Sequence, residues 1–310
     1  MTHGRAEIHE LLLANDLRPS RALGQNFVAD GNTVRRIVRL AGITEGQQVV
    51  EIGAGLGSLT LALVEAGASV TALEIDRHVL PVLRAQVESH GVRVIEADAL
   101  TIDWPALLGP DSRDWSLVAN LPYNVAVPLV IKVLEEAPQV SSLLVMVQRE
   151  VGERLAAKAK DEAYGAVSVK VAYWATAAVV GRVSAQVFIP RPRVESVLVR
   201  LDRRSASAAT GPQKTDEIEG PPLGGRGSSG YDRLFSVVRG GFAHRRKMLR
   251  RSLDGLVAPE AFEAVGIPPT ARAEELALDE WERLATWQPP GVGENGESGK
   301  GPGAAEGNHR

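Results

Sequence analysis

A doubly wound α/β fold, with helices on both faces of a mostly parallel sheet, is what this sequence predicts, and three observations carry the prediction. Apolar runs rich in Val, Ile and Leu alternate with helical patterning across residues 49–201. A glycine-rich turn, Gly53-Ala54-Gly55-Leu56-Gly57, separates the first run from the helix after it. Composition suits a globular chain of 310 residues, 44% hydrophobic and 24% charged, long enough for a sizeable core.

The elements follow in order. Residues 8–13 predict a short helix, and residues 18–30 mix arginines, amides, Gly and Phe without periodicity, as a loop with contacts to make does. Asn32 is the expected cap of a helix to Leu40 whose apolar face is Val34, Ile37, Val38 and Leu40. Strands are expected at 49–52, 69–75, 92–97, 115–119 and 141–147, with helices at 58–66, 78–90 and 127–136 between them. Residues 179–187 and 197–201 are the expected last strands. Past 203 the composition turns to Gly, Ser, Pro and Ala, so residues 204–230 read as a flexible insertion. Helical patterning resumes over 231–288 as a small second domain, and 289–310 read as a disordered tail.

Composition excludes several functions. The absence of cysteine removes disulfides, thiolate nucleophiles and Cys-ligated metals, and the six histidines show no metal-ligand spacing, so no metal is expected. Apolar stretches fall short of the roughly 20 residues that span a bilayer, and the N-terminus lacks a signal-peptide pattern. A cytoplasmic, monomeric protein is the expectation. A formal net charge of -3 selects no partner, so any nucleic-acid signal must be local. One local signal exists: Arg239, Arg245, Arg246, Lys247, Arg250 and Arg251 fall in a stretch without acids, expected on one helix as either a phosphate-facing surface or a solvated face.

Chemistry concentrates at strand ends. The Gly53 loop opens a helix, and Glu74 ends the next strand, about 20 residues on, where a carboxylate accepts ribose hydroxyls. A pyrophosphate-binding dehydrogenase has Gly-x-Gly-x-x-Gly, whereas this loop is Gly-x-Gly-x-Gly, which favours S-adenosylmethionine. Asp98 ends the third strand and suits either an adenine amino group or a helix cap. Asn120-Leu121-Pro122-Tyr123 ends the fourth: amide, carbonyls and flat ring suit an exocyclic amine on a planar base, although Asn and Pro also make ordinary turns. Four consecutive strand ends thus carry ligand-binding groups along one edge of the sheet.

Five motifs together resemble those of the ribosomal RNA adenine N6-dimethyltransferases. They are Gly24-Gln25-Asn26-Phe27, the Gly53 loop, Asn120 to Tyr123, the stretch Val187-Phe188-Ile189-Pro190-Arg191-Pro192-Arg193-Val194-Glu195-Ser196, and Phe242-Ala243-His244-Arg245-Arg246-Lys247-Met248-Leu249. The likeness is narrowest to the bacterial small-subunit type, which acts on two adjacent adenines in the 3'-terminal hairpin of 16S rRNA, within the subunit or its precursor. It implies a Rossmann-like class I methyltransferase domain with S-adenosylmethionine as methyl donor, and a part in subunit biogenesis. Asn26, Val28, Gly53 and Gly55 are implied to touch the donor, with Glu74 on its ribose, Asp98 on its adenine, and Asn120 at its methionine end and the target amine. Leu121 and Pro122 complete the catalytic turn, and Tyr123 and Phe188 are implied to sandwich the target base. Arg191, Arg193, Arg245, Arg246, Lys247, Arg250 and Arg251 are the expected RNA contacts. Val28 replaces the usual Leu, Ala54 the usual Pro, and His244 the usual Gln. The competing readings are a large-subunit rRNA methyltransferase of the antibiotic-resistance type, a nicotinamide oxidoreductase, and a non-catalytic ribosome-assembly factor.

Overall fold

The computed structural model of the chain describes residues 2–109, 114–204, 227–245 and 247–289. Before the main sheet come α1 (Arg5–Ala14), the short strand β1 (Phe27–Val28) and α2 (Gly31–Ala41). Asp30, not Asn32, caps α2: its carboxylate accepts from the Thr33 N–H at 2.8 Å. Either residue suits a cap, and the extended backbone at Asp30 decides between them.

The α/β succession then runs β2 (Gln48–Ile52), α3 (Ser58–Glu65), β3 (Ser69–Glu74), α4 (Leu80–Val87), β4 (Arg93–Glu96), α5 (Trp104–Leu108), β5 (Trp115–Asn120), α6 (Ala126–Glu136), β6 (Val140–Gln148), α7 (Arg149–Ala156), α8 (Ala166–Trp174), β7 (Ala175–Val183), β8 (Phe188–Ile189) and β9 (Ser196–Arg203). Seven strands form one sheet in the order β4-β3-β2-β5-β6-β9-β7. The first five are parallel, and β9 is antiparallel to both β6 and β7. Strand order reverses between β2 and β5, so the chain leaves a crevice at their carboxyl ends. This is the predicted doubly wound fold. β7 differs from expectation by starting at Ala175, because pairing along β9 holds Ala175, Ala177 and Ala178, residues of weak strand propensity, extended on either side of Thr176. Val187 belongs to a 3₁₀ turn, whose start Ser184 caps.

Helices α9 (Ser229–Ala243), α10 (Leu249–Ser252), α11 (Pro259–Ala264) and α12 (Leu278–Thr286) complete the described chain. The apolar stripe of α9, Tyr231, Leu234, Phe235, Val238 and Gly241, would next carry Arg245 inward, and the helix stops at Ala243 instead. The basic stretch therefore spans two helices and the turn between them, not one helix. One buried cluster runs from the β5 and β6 side chains through Tyr173 and Trp174 to Tyr231, Phe235 and Trp281. A polar clasp reinforces it: Glu135 on α6 accepts from Lys170 Nζ on α8 at 2.6 Å and from the Tyr231 hydroxyl on α9. Of the expected insertion at 204–230, residues 205–226 lie outside the described residues, as does the tail from 290, and the insertion's last two residues, Ser229 and Gly230, already belong to α9, capped by Ser228.

Arg203 fastens the far end of β9. Its guanidinium donates to the carbonyls of Leu134 at 2.9 Å, Val133 at 3.2 Å and Ala137 at 3.0 Å, and its Nε to that of Val140 at 2.8 Å. Those of Leu134 and Ala137 are at the C-terminus of α6, where carbonyls lack intrahelical donors, whereas that of Val133 also accepts from the Ala137 N–H and that of Val140 belongs to β6. Burial lowers the Arg203 pKa to about 10, so the group stays charged at neutral pH. Arg203→Ala is expected to lower the unfolding free energy by about 3 kcal/mol in urea titration. Arg203→Lys should recover less than half of that, because an ammonium lacks the planar fork.

Candidate functional site

The crevice between β2 and β5 holds a cavity of about 210 Å3. Its wall combines the loop after β2, the ends of β3, β4 and β5, and the N-terminal loop. Asn26, Val28, Gly53, Gly55, Glu74, Asp98, Asn120, Leu121, Pro122 and Tyr123 all line it. Residues far apart in sequence meet because parallel strands end side by side.

The glycine loop turns sharply, with φ of 71° at Gly53 and 57° at Gly55. A Cβ on Gly55 would stand 3.0 Å from the Phe27 ring, so glycine is needed there both for conformation and for the close approach of β1. Glu74 is held beside this loop. It accepts from the Gly55 N–H at 2.8 Å through one oxygen and from Ile75 and Asp76, both at 2.9 Å, through the other. Burial raises its pKa, and the three N–H donors oppose the rise. Asp98 accepts from the Leu100 N–H at 2.8 Å through Oδ1, and its other oxygen forms no bond with a described residue.

Asn120 closes the opposite side. Its Nδ2 donates to the Asn26 carbonyl at 2.9 Å, which leaves Oδ1 as an acceptor. The N-terminal loop packs tightly over this turn: Gly24, at φ 64°, would bring a Cβ within 3.1 Å of Pro122. Tyr123 is half-buried, and its hydroxyl lies 3.2 Å from Ser196 Oγ. Burial raises the phenol pKa, so the ring stays neutral.

Two expectations change. Phe188 does not line the cavity: it is 1% exposed, pairs with Val28 across β1 and β8, and packs with Val34, Val183 and Leu198. A lone aromatic beside Pro gives no sequence signal of which way its ring faces. Arg245 is exposed like its neighbours but paired, its Nε on Glu274 at 2.7 Å and its Nη2 on the Glu162 carbonyl at 2.7 Å. Arg191, Arg193, Lys247, Arg250 and Arg251 are exposed and form no ion pair with a described residue, and Arg246 lies outside the described residues.

Three further cavity residues were given no role from the sequence. Ile75 is 48% exposed, an apolar face directly after Glu74 on which a purine can rest. Gln25 spans two segments of the wall. Glu51 is 1% exposed, and it accepts from the Thr60 hydroxyl at 2.6 Å. Its signal was available: an acid inside an apolar strand is rarely buried without a task. A folded backbone cradle, carboxylates at the ends of β3 and β4, an apolar face and an amide opposite fit an adenosine-bearing donor. No group of side chains suited to a metal occurs among the described residues.

The family described as ribosomal RNA adenine dimethylase matches residues 17–214. A protein named ribosomal RNA small subunit methyltransferase A, from Leifsonia xyli subsp. xyli, is 45% identical over 293 residues, covering 91% of this chain and 97% of its own. One of the same name from Thermobifida fusca is 41% identical, covering 92% and 95%. Among solved structures, a dimethyladenosine transferase from Plasmodium falciparum superposes with a TM-score of 0.66 at 22% identity, covering 82% of this chain and 94% of its own. The 23S rRNA methyltransferase ErmE does so with 0.63 at 24%, covering 84% and 98%. Both likenesses concern the fold.

Glu51 makes the site's energetics pH-dependent. Burial pushes its carboxyl up to about 8, with the Thr60 hydroxyl opposing and Glu74 adding to the rise. An unfolded Glu titrates near 4.5, so between these values the folded chain holds a proton that the unfolded chain has lost. This contribution to stability is full below 4.5 and is lost as pH rises through about 8. Glu51→Gln, which keeps an acceptor for Thr60, is expected to melt several degrees above the wild type near pH 9 and close to it near pH 5. A melting-temperature difference that is flat across that range would contradict an up-shifted Glu51.

Proposed function

Since the chain belongs to the ribosomal RNA adenine dimethylase family, we propose that it transfers methyl groups from S-adenosylmethionine to the N6 amines of two adjacent adenines in the 3'-terminal hairpin of small-subunit rRNA. The observation that carries the site assignment is Asn120. Its amide is held by Asn26 of the N-terminal loop, across the crevice from Gly53, in one cavity with Glu74 and Asp98.

The bound donor supplies an activated methyl on a cationic sulfur. The protein's task is therefore position and charge, with no general base. Glu74 and Ile75 hold the ribose and one face of the adenine, and Asp98 takes the adenine amine. Asn120 Oδ1 and the backbone carbonyls of the turn accept from the target amine and stabilise the positive charge that grows on nitrogen. Tyr123 gives the extruded base a flat face, which offsets part of the few kcal/mol that unstacking costs. A second platform at Phe188 requires that ring to leave the core.

Exposed Arg191, Arg193, Lys247, Arg250 and Arg251 make the phosphate contacts. Arg245 instead staples the turn to Glu274. The protein is read as a cytoplasmic monomer acting on the small subunit or its precursor. No helix among the described residues is long and apolar enough to cross a membrane.

Purified protein should move radiolabelled methyl from S-adenosylmethionine onto undermethylated 30S particles, and Asn120→Ala should abolish transfer while sparing particle binding. Label on 50S RNA alone would point to the large-subunit reaction, and binding without transfer to an assembly factor. In filter binding, Arg250→Ala and Arg251→Ala should each lower the slope of log affinity against log salt by about one. Arg245→Ala should instead lower the melting temperature.

A further inference from the structure

The loop at residues 18–26 crosses the cavity wall and is held at three points. Two face the target side: Gly24 lies against Pro122, and the Asn26 carbonyl accepts from Asn120. The third is Gln25, whose Oε1 accepts from the Ser20 N–H at 2.7 Å while its Nε2 donates to Asp76 Oδ2 at 2.7 Å. The Asp76 N–H donates in turn to Glu74. One neutral side chain thus joins the loop to the segment that orients the ribose-binding carboxylate.

Gln25 also stands between two spaces. Behind the loop runs an open polar groove lined by Asn15, Arg18, Ser20, Asp76 and His78. The cavity and this groove share only Leu23, Gln25 and Phe27 among the described residues. Gln25 supplies the polar part of that partition, and its two hydrogen bonds close it. The groove opens beside the end of β3, whereas Tyr123 follows β5, and β2 lies between those strands. The two openings therefore flank the cavity.

We propose that Gln25 is a positioning residue that latches a donor-exchange port: bridging Ser20 and Asp76, it holds the loop over the donor, and its release lets the spent donor leave through the groove while the base stays against Tyr123. The inference rests on the methyltransfer reading above. Two methyls on one nitrogen require two donors, so the spent donor must be replaced between transfers. A port on the β3 side makes that exchange independent of RNA release.

The test follows radiolabelled S-adenosylhomocysteine, chased with excess unlabelled compound, from the protein bound to undermethylated 30S particles. Gln25→Ala should release it about tenfold faster, as expected for loss of a hydrogen bond to a charged group, with particle affinity unchanged. Gln25→Glu should release it faster still, because it sets a carboxylate against Asp76. Combined with Asp76→Asn, which returns an N–H donor to the pair and keeps an acceptor for the His78 N–H, release should return to within about threefold of wild type. Wild-type protein given one encounter, with excess competitor RNA, should yield dimethylated adenine. Unchanged release in Gln25→Ala, failure of the exchanged pair to restore it, or a monomethyl product from a single encounter would each overturn the port. Wild-type protein that neither binds S-adenosylhomocysteine nor methylates would instead overturn the reading beneath it.

Discussion

The reversal of strand order between β2 and β5 is the constraint on which the site depends. Helices α3 and α6, which follow these neighbouring strands, pack into different cores on opposite faces of the sheet, so nothing regular covers the gap between their N-termini. The N-terminal segment fills part of that gap. Helix α1 backs the glycine loop through Ile8 and Leu12 against Leu56, and the loop after it reaches Asn120. In the proposed reaction donor and target meet because both halves of the wall hang from this one crevice.

Charge divides the cavity as the chemistry requires. In the proposed reaction Glu74 and Asp98 stand on the donor side, beside a Glu51 whose carboxyl holds its proton at neutral pH, while the lining from Asn120 to Leu129 is uncharged. A cationic donor gains from nearby carboxylates, and a neutral amine gains from carbonyl and amide acceptors. A fixed carboxylate beside the amine would draw the product cation back and slow its departure. On that proposal the two needs fall to different strand ends.

What was legible in the sequence was what is punctuated locally. Strand ends announce themselves, since Gly53, Glu74, Asp98 and Asn120 each follow an apolar run, and parallel strands carry those ends to one edge. The orientation of Phe188 was not legible, because it is decided by β1 pairing from a hundred and more residues away. The junction of α8 and β7 at Trp174 and Ala175 has no Gly or Pro to mark it, and β9 sets where the strand begins. Arg245 looked like its basic neighbours until Glu274 and the Glu162 carbonyl were placed beside it. In each case the deciding partner is distant in the chain.

β9 and α9 are fastened to the same helix. Arg203 grips the C-terminal end of α6, and Tyr231 reaches Glu135 on that helix. The stretch at 205–226 thus departs from and returns to a single rigid support, and the cost of closing a loop between fixed ends grows only slowly with its length. The crevice turn at Asn120 to Tyr123 leads into the opposite, N-terminal end of α6, so both fastenings stand between that stretch and the site.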